Sequence, residues 1–172
     1  MIWTVAPITR TDEPFVGDER AMLDGFLDWH RATLLHKCSG LTGEQLARQA
    51  LLPSHLSLLG LVRHLADVER TYFRRRFLGE TLDGLYWRPD KPDADFEDVD
   101  PDRADADIAT LINEWELCRQ AIAGASLDAT FISERWGEMS LRWIYLHLIG
   151  EYAHHNGHAD LLRERIDGTT GW

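Results

Sequence analysis

Thiols are scarce in this chain. Cysteine occurs twice, at Cys38 and Cys118, far apart and in no CxxC pattern. The pair reads as two reduced, half-buried thiols of a cytoplasmic protein, not as a nucleophile or as metal ligands. Positive charge is also short: 18 Lys and Arg stand against 29 Asp and Glu, for a formal charge of -11. Such a field repels nucleic acid and anionic membrane surfaces, so neither is expected as a partner. No long uncharged apolar run occurs, and the N-terminus carries acids where a leader would carry bases, so neither a membrane span nor a signal peptide is expected. Internal repeats, low-complexity tracts and βαβ alternation are absent too. What is present is 172 residues, 44% hydrophobic, enough to bury one core. Residues 1–172 are expected to form a single domain, with 1–17 as an irregular arm packed through Ile2, Trp3 and Ile8.

Four segments carry helical periodicity. The first opens at Asp18, a suitable N-cap, and stops at Gly40; Met22, Phe26, Trp29, Thr33 and Leu34 recur at spacings of three and four. His30 and His36 are placed on its surface or at its end. After a connector with a short helical turn near 42–48, Ser54 or Ser57 opens a second helix that runs to about Leu78. Leu58, Leu61, Leu65, Val68 and Tyr72 form its stripe, flanked by His64 on one side and Glu69 on the other. A lone histidine beside an apolar face is commonly a hydrogen-bonded boundary residue, and His64 by itself reads that way. Arg74, Arg75 and Arg76 complement the helix dipole, or hold an anionic substrate group. The third helix covers 103–125 and ends at Gly124. Between these, 80–102 is a long acidic connection with Pro89, Pro92 and Pro101, suited to shaping a pocket mouth. The connector 126–139 reads as extended around Phe131 to Trp136. Four long amphipathic segments predict an all-α helix bundle, whose long connections do not fix an up-down-up-down order.

The fourth helix, from the N-cap Ser140 to Arg165 and closed by Gly168, carries the chemistry. On a wheel of roughly 100° per residue, Ile144, Leu148, Glu151, His155, His158 and Leu162 share an arc of about 80°. Burying a carboxylate and imidazoles unpaired costs several kcal/mol by order of magnitude. A divalent metal would satisfy them together. Glu151 and His155 are i, i+4 and stack one turn apart, so both can reach a single ion. His154 and His158 have the same spacing, but His154 falls about 80° from the centre of the apolar face and His155 only about 20°. His155 is therefore the inward histidine. Two ligands from one helix need a third from elsewhere.

The stretches GLVRHLADVE and EYAHHNGHADLLRE resemble the DinB-like superfamily, also called YfiT-type metal-dependent hydrolases, over roughly residues 18–168. The closest likeness is to an actinobacterial branch, through DERAMLDGFLDWHR, LVRHLADVER and SLRWIYLHLIGEYAHHNGHADLLRERIDG. The resemblance implies a DinB-type four-helix bundle. It implies one metal ligand on the second helix, His64, and two on the fourth, Glu151 and His155, as in the mycothiol-dependent maleylpyruvate isomerase type, where the first fourth-helix ligand is glutamate. His158 matches a further histidine of related sequences, as a ligand or as a residue behind the ligands or facing substrate; Glu69 is a second candidate for such a supporting role. Similar proteins often form dimers, and Trp3, Trp143 and Trp172 are candidates for such a face or for the core.

Three protein ligands leave coordination open, as catalytic sites do. The set suits zinc first, with nickel, iron or manganese also compatible. The resemblance implies a low-molecular-weight thiol, mycothiol foremost, as nucleophile toward small electrophiles, in an S-transferase or isomerase. Arg163, Arg165 and the 74–76 run are candidates to hold the thiol's polar groups. A hydrolase with metal-activated water is the alternative reading of the same ligands. A non-enzymatic metal or small-ligand binder, or a plain hydrogen-bonded network, is the third.

Overall fold

The structure is a computed structural model and describes residues 2–170. Trp172, one candidate for an association face, lies outside the described residues. The first helix, α1 (Glu19–Cys38), starts where the Asp18 side chain accepts the Ala21 N–H at 2.8 Å. That bond satisfies one of the orphan amides of the first turn, as expected of an N-cap. The arm before it is tied down by two backbone bonds: Val5 N–H donates to Leu41 and Gly40 N–H donates to Val5. Val5 is the buried anchor, whereas Ile2 is 80% exposed. The anchor is thus Val5, with Ile8 half-buried beside it, and not Ile2 or Trp3.

A capping box of Thr42 and Gln45 sets off the short α2 (Gly43–Ala47). Ser57 then caps α3 (Leu58–Glu69), accepting the Gly60 N–H at 3.0 Å. The apolar stripe expected on this helix is too narrow. Leu58, Leu59, Leu61, Val62, Leu65 and Ala66 are all buried, because α3 is packed by α4, α5 and α6 at once. From Arg70 to Phe77 it continues as a π-helix. The short α4 (Ala94–Glu97) lies on α3, and a 3-10 turn (Pro101–Arg103) leads into α5 (Ala104–Ala121). β1 (Thr130–Ser133) and β2 (Gly137–Ser140) pair antiparallel, with Phe131 opposite Met139. The chain is therefore mainly α-helical and not wholly so. The hairpin forms because both buried residues of its strands, Phe131 and Met139, point to one side and cap the core. The longest helix, α6 (Leu141–Asp167), is capped by Ser140 and ends at Gly168, whose φ of +79° suits glycine.

α6 packs on α1 and α3. Its buried face is Leu141, Ile144, Tyr145, Leu148, Tyr152, Asn156, Ala159 and Leu162. Glu151, His155 and His158 sit at the edge of that face, half-buried, not within it. The wheel placed them correctly in sector but too deep, since Tyr152 and Asn156 take the central positions. α1 differs in the same way. Its deepest residues are Leu27, Arg31, Leu34, Leu35 and Cys38, while Met22, Phe26 and Trp29 are only half-buried. Arg31 is drawn inside by Glu69, which it binds with two nitrogens at 2.7 and 2.6 Å. Glu69 also accepts the Tyr152 hydroxyl at 2.9 Å, and Trp115 donates to that hydroxyl at 2.8 Å. One satisfied polar network thus ties α1, α3, α5 and α6 together.

Candidate metal centre

α3 and α6 bring His64, Glu151 and His155 together. Each offers one ligand atom, and these atoms all lie within 4.8 Å of one another. A Glu151 carboxylate oxygen is 3.6 Å from His155 Nε2, and the His64 and His155 rings meet edge-on with centroids 4.8 Å apart. The one-turn spacing on α6 makes the first contact, and the packing of α6 on α3 makes the second.

His64 is held from two directions. Its Nδ1 is 2.8 Å from a carboxylate oxygen of Asp95, and the Phe96 ring stacks on it at 5.0 Å. Both partners come from α4. Gly60 makes room for this, since a Cβ there would lie 2.9 Å from the Phe96 ring. A carboxylate at Nδ1 fixes the proton on that nitrogen and leaves the Nε2 lone pair facing outward. His155 is arranged likewise. Its Nε2 faces Glu151, and its Nδ1 is 3.3 Å from His158 Nδ1. Burial, followed by the neighbouring imidazoles of His64, His158 and His154, pushes His155 down to about 3. It is therefore neutral near pH 7, with a lone pair to give. The donor set of two imidazoles and one carboxylate, gathered but not bonded to one another, fits a divalent cation.

His158 stands behind His155, and His154 is exposed. His147 was not expected here. Its Nε2 is 3.7 Å from the other Glu151 oxygen, and its ring stacks on Trp143 at 4.6 Å and contacts Tyr72 at 4.5 Å. The i, i+4 relation to Glu151 was the available signal. Glu69 is not among the gathered ligands. It is fully buried and committed to Arg31 and Tyr152, which makes it part of the core network.

A cavity of about 870 Å³ opens beside His64. Asp95 and Phe96 of α4, Tyr72 and Arg76 of the π-helix, and Ile132 of the hairpin line it. The long connection supplies its rim through Leu82, Trp87 and Asp93. That connection is anchored by buried Asp67, which accepts the N–H groups of Leu85, Tyr86 and Trp87 at 2.6, 2.8 and 2.8 Å.

Residues 22–168 match the family model for mycothiol S-transferase. The chain belongs to the mycothiol S-transferase family. No curated protein and no solved structure matches it. In this member of the mycothiol S-transferase family both cysteines are fully buried. Burial pushes the Cys38 thiol up to about 12 and raises the Cys118 thiol as well. Neither can act as an exposed thiolate. Two of the arginines named as candidates to hold a thiol, Arg163 and Arg165, do not line the cavity. Arg163 donates to the carbonyls of Lys37 and Ser39, both at 2.8 Å, and so caps the end of α1. Arg165 is exposed and away from the cavity. Arg74 pairs with Glu80 and Glu114, while Arg75 and Arg76 line the cavity.

Proposed function

We propose that this chain is a metal-dependent S-transferase that joins mycothiol to small electrophiles. The reading is carried by one observation: ligand atoms of His64, Glu151 and His155 converge to within 4.8 Å, and His64 of that cluster lines a cavity large enough for a small substrate. Membership of the mycothiol S-transferase family supports it. So does the sealing of Cys38 and Cys118, which leaves the nucleophilic sulfur to come from outside. We read the four long helices as one DinB-type four-helix bundle domain, working in the cytoplasm.

A divalent ion, zinc foremost, held by His64, Glu151 and His155 would bind the thiol sulfur and lower its pKa. The protein's own residues do the rest. Asp95 and His158 keep the two imidazoles in the tautomers that face the cluster. Glu151 is half-buried, and the thiol proton leaves past it to solvent. The cavity holds the electrophilic carbon against the sulfur. A carbon–sulfur bond forms and the bond to the leaving group breaks, with its electron pair departing on that group.

Calorimetric titration of mycothiol into zinc-loaded protein tests the reading. Binding is expected with wild type and is expected to vanish in His64→Ala and His155→Ala. Absence of thiol binding in fully metal-loaded wild type would overturn it. Turnover of an ester panel without any thiol would support the hydrolase alternative instead.

A further inference from the structure

Arg76 occupies an unusual position. Its guanidinium lies over the Tyr72 ring at 4.6 Å and over the Trp136 ring at 5.3 Å. Its Nη1 is buried and has no hydrogen-bond partner. Its neighbours in sequence and space do not supply one. Glu80 is taken by Arg74, and Asp95 by His64. Among the described residues no salt bridge reaches Arg76. A buried guanidinium nitrogen without an acceptor is costly, and an acceptor delivered from outside offsets that cost. The two ring contacts hold the guanidinium in place without giving its Nη1 an acceptor, which leaves that nitrogen for a ligand. Arg76 lines the same cavity as His64. A chain of contacts also connects it to the ligand cluster: Tyr72 touches His147 at 4.5 Å, and His147 lies 3.7 Å from Glu151.

We propose that Arg76 is the anion-binding residue of the cavity, and that the preferred electrophiles carry a carboxylate. A single negative charge fits better than a dianionic phosphate, because five carboxylates line the same cavity as Arg75, Arg76 and Arg135; Asp67, Glu80 and Asp95 are engaged by backbone N–H groups, Arg74 and His64, which leaves Asp93 and Glu134 facing the three arginines. The guanidinium receives the carboxylate on its unpartnered Nη1, which positions the reactive carbon toward the cluster. The inference rests on reading this cavity as the electrophile site of the S-transferase.

The test uses two electrophiles of equal size and different charge, para-chloromethylbenzoate and para-chloromethylbenzamide, with mycothiol and zinc-loaded protein. A parallel arm measures binding of unreactive para-toluate by calorimetry without thiol. Wild type is expected to favour the acid over the amide in kcat/KM by about tenfold or more, the usual size of a charge-assisted hydrogen bond. Arg76→Gln is expected to lower kcat/KM for the acid about tenfold more than for the amide, mainly through KM, and to weaken para-toluate binding to a similar degree. Arg76→Lys, which keeps the charge but not the fork, falls between, and carries the test if the glutamine variant does not fold. Equal losses on both substrates in both variants would overturn the inference, as would wild type that neither prefers the acid nor binds para-toluate. If no S-transfer occurs but para-toluate binds in an Arg76-dependent way, the S-transferase reading falls and the anion site stands.

Discussion

His64 Nδ1 and an Asp95 carboxylate oxygen are 2.8 Å apart, across 31 positions of sequence, and Asp95 is only 5% exposed. The acid does nothing else of comparable strength beyond a local bond to the Phe96 N–H at 3.1 Å. Its effect is to aim the far nitrogen of His64 at Glu151 and His155. Asp95→Asn is expected to lower zinc affinity by about 10- to 100-fold while leaving the far-ultraviolet circular dichroism unchanged. Competition with a chromophoric chelator measures this. Unchanged affinity would mean that the packing of Phe96 alone orients the ring.

Acid should loosen the metal-free protein through its histidines. Burial lowers His30, His147 and His158 below the ordinary 6.5, and His155 falls to about 3. Between these values the unfolded chain binds protons that the folded chain refuses. Stability therefore rises with pH across this window, is complete above 6.5, and is lost as pH falls toward 3. Urea midpoints measured across the window should follow this slope, and His155→Gln should flatten it.

The Arg31–Glu69 pair is buried on both sides, with 4% and 0% side-chain exposure. Removing Glu69 leaves the buried guanidinium of Arg31 with only the half-exposed Asp28, 2.8 Å from one of its nitrogens, as a carboxylate partner. Glu69→Ala is expected to cost about 3–5 kcal/mol in urea unfolding, whereas Tyr152→Phe, which leaves the buried Trp115 N–H without its acceptor, should cost about 1–3 kcal/mol. A small loss for Glu69→Ala would show that water reaches the site.

Asp67→Ala should release the rim of the cavity. Three backbone N–H groups lose their acceptor at once. A stability loss of about 1–3 kcal/mol is expected. Faster hydrogen exchange at Leu85, Tyr86 and Trp87 is the specific readout, since a general weakening would spread beyond these amides.

The sequence made the helix starts legible where a side chain marks them. Asp18, Ser57 and Ser140 cap as local chemistry says they should. The pairing of Glu151 with His155 was legible for the same reason, because i, i+4 geometry belongs to one helix. What escaped were relations between distant segments. Asp95 is one acid among many in an acidic connection, and nothing local marks it as the partner of His64. Nothing local marks Arg31 for burial either; Glu69, 38 positions away, draws it inward. The π-helix at Arg70–Phe77 has no propensity signature, being a product of packing. The hairpin at 130–140 was visible only as an extended stretch, because its pairing depends on a core already formed.

The proposed S-transferase would meet alkylating compounds, and a catalyst of that kind is exposed to self-inactivation. The softest nucleophiles on any protein are its thiols, and here both sit at 0% exposure with raised pKa values. An electrophile that left the proposed site unreacted would meet no exposed sulfhydryl of this polypeptide. Chemical durability thus comes with the packing of the interior, without any dedicated protective device.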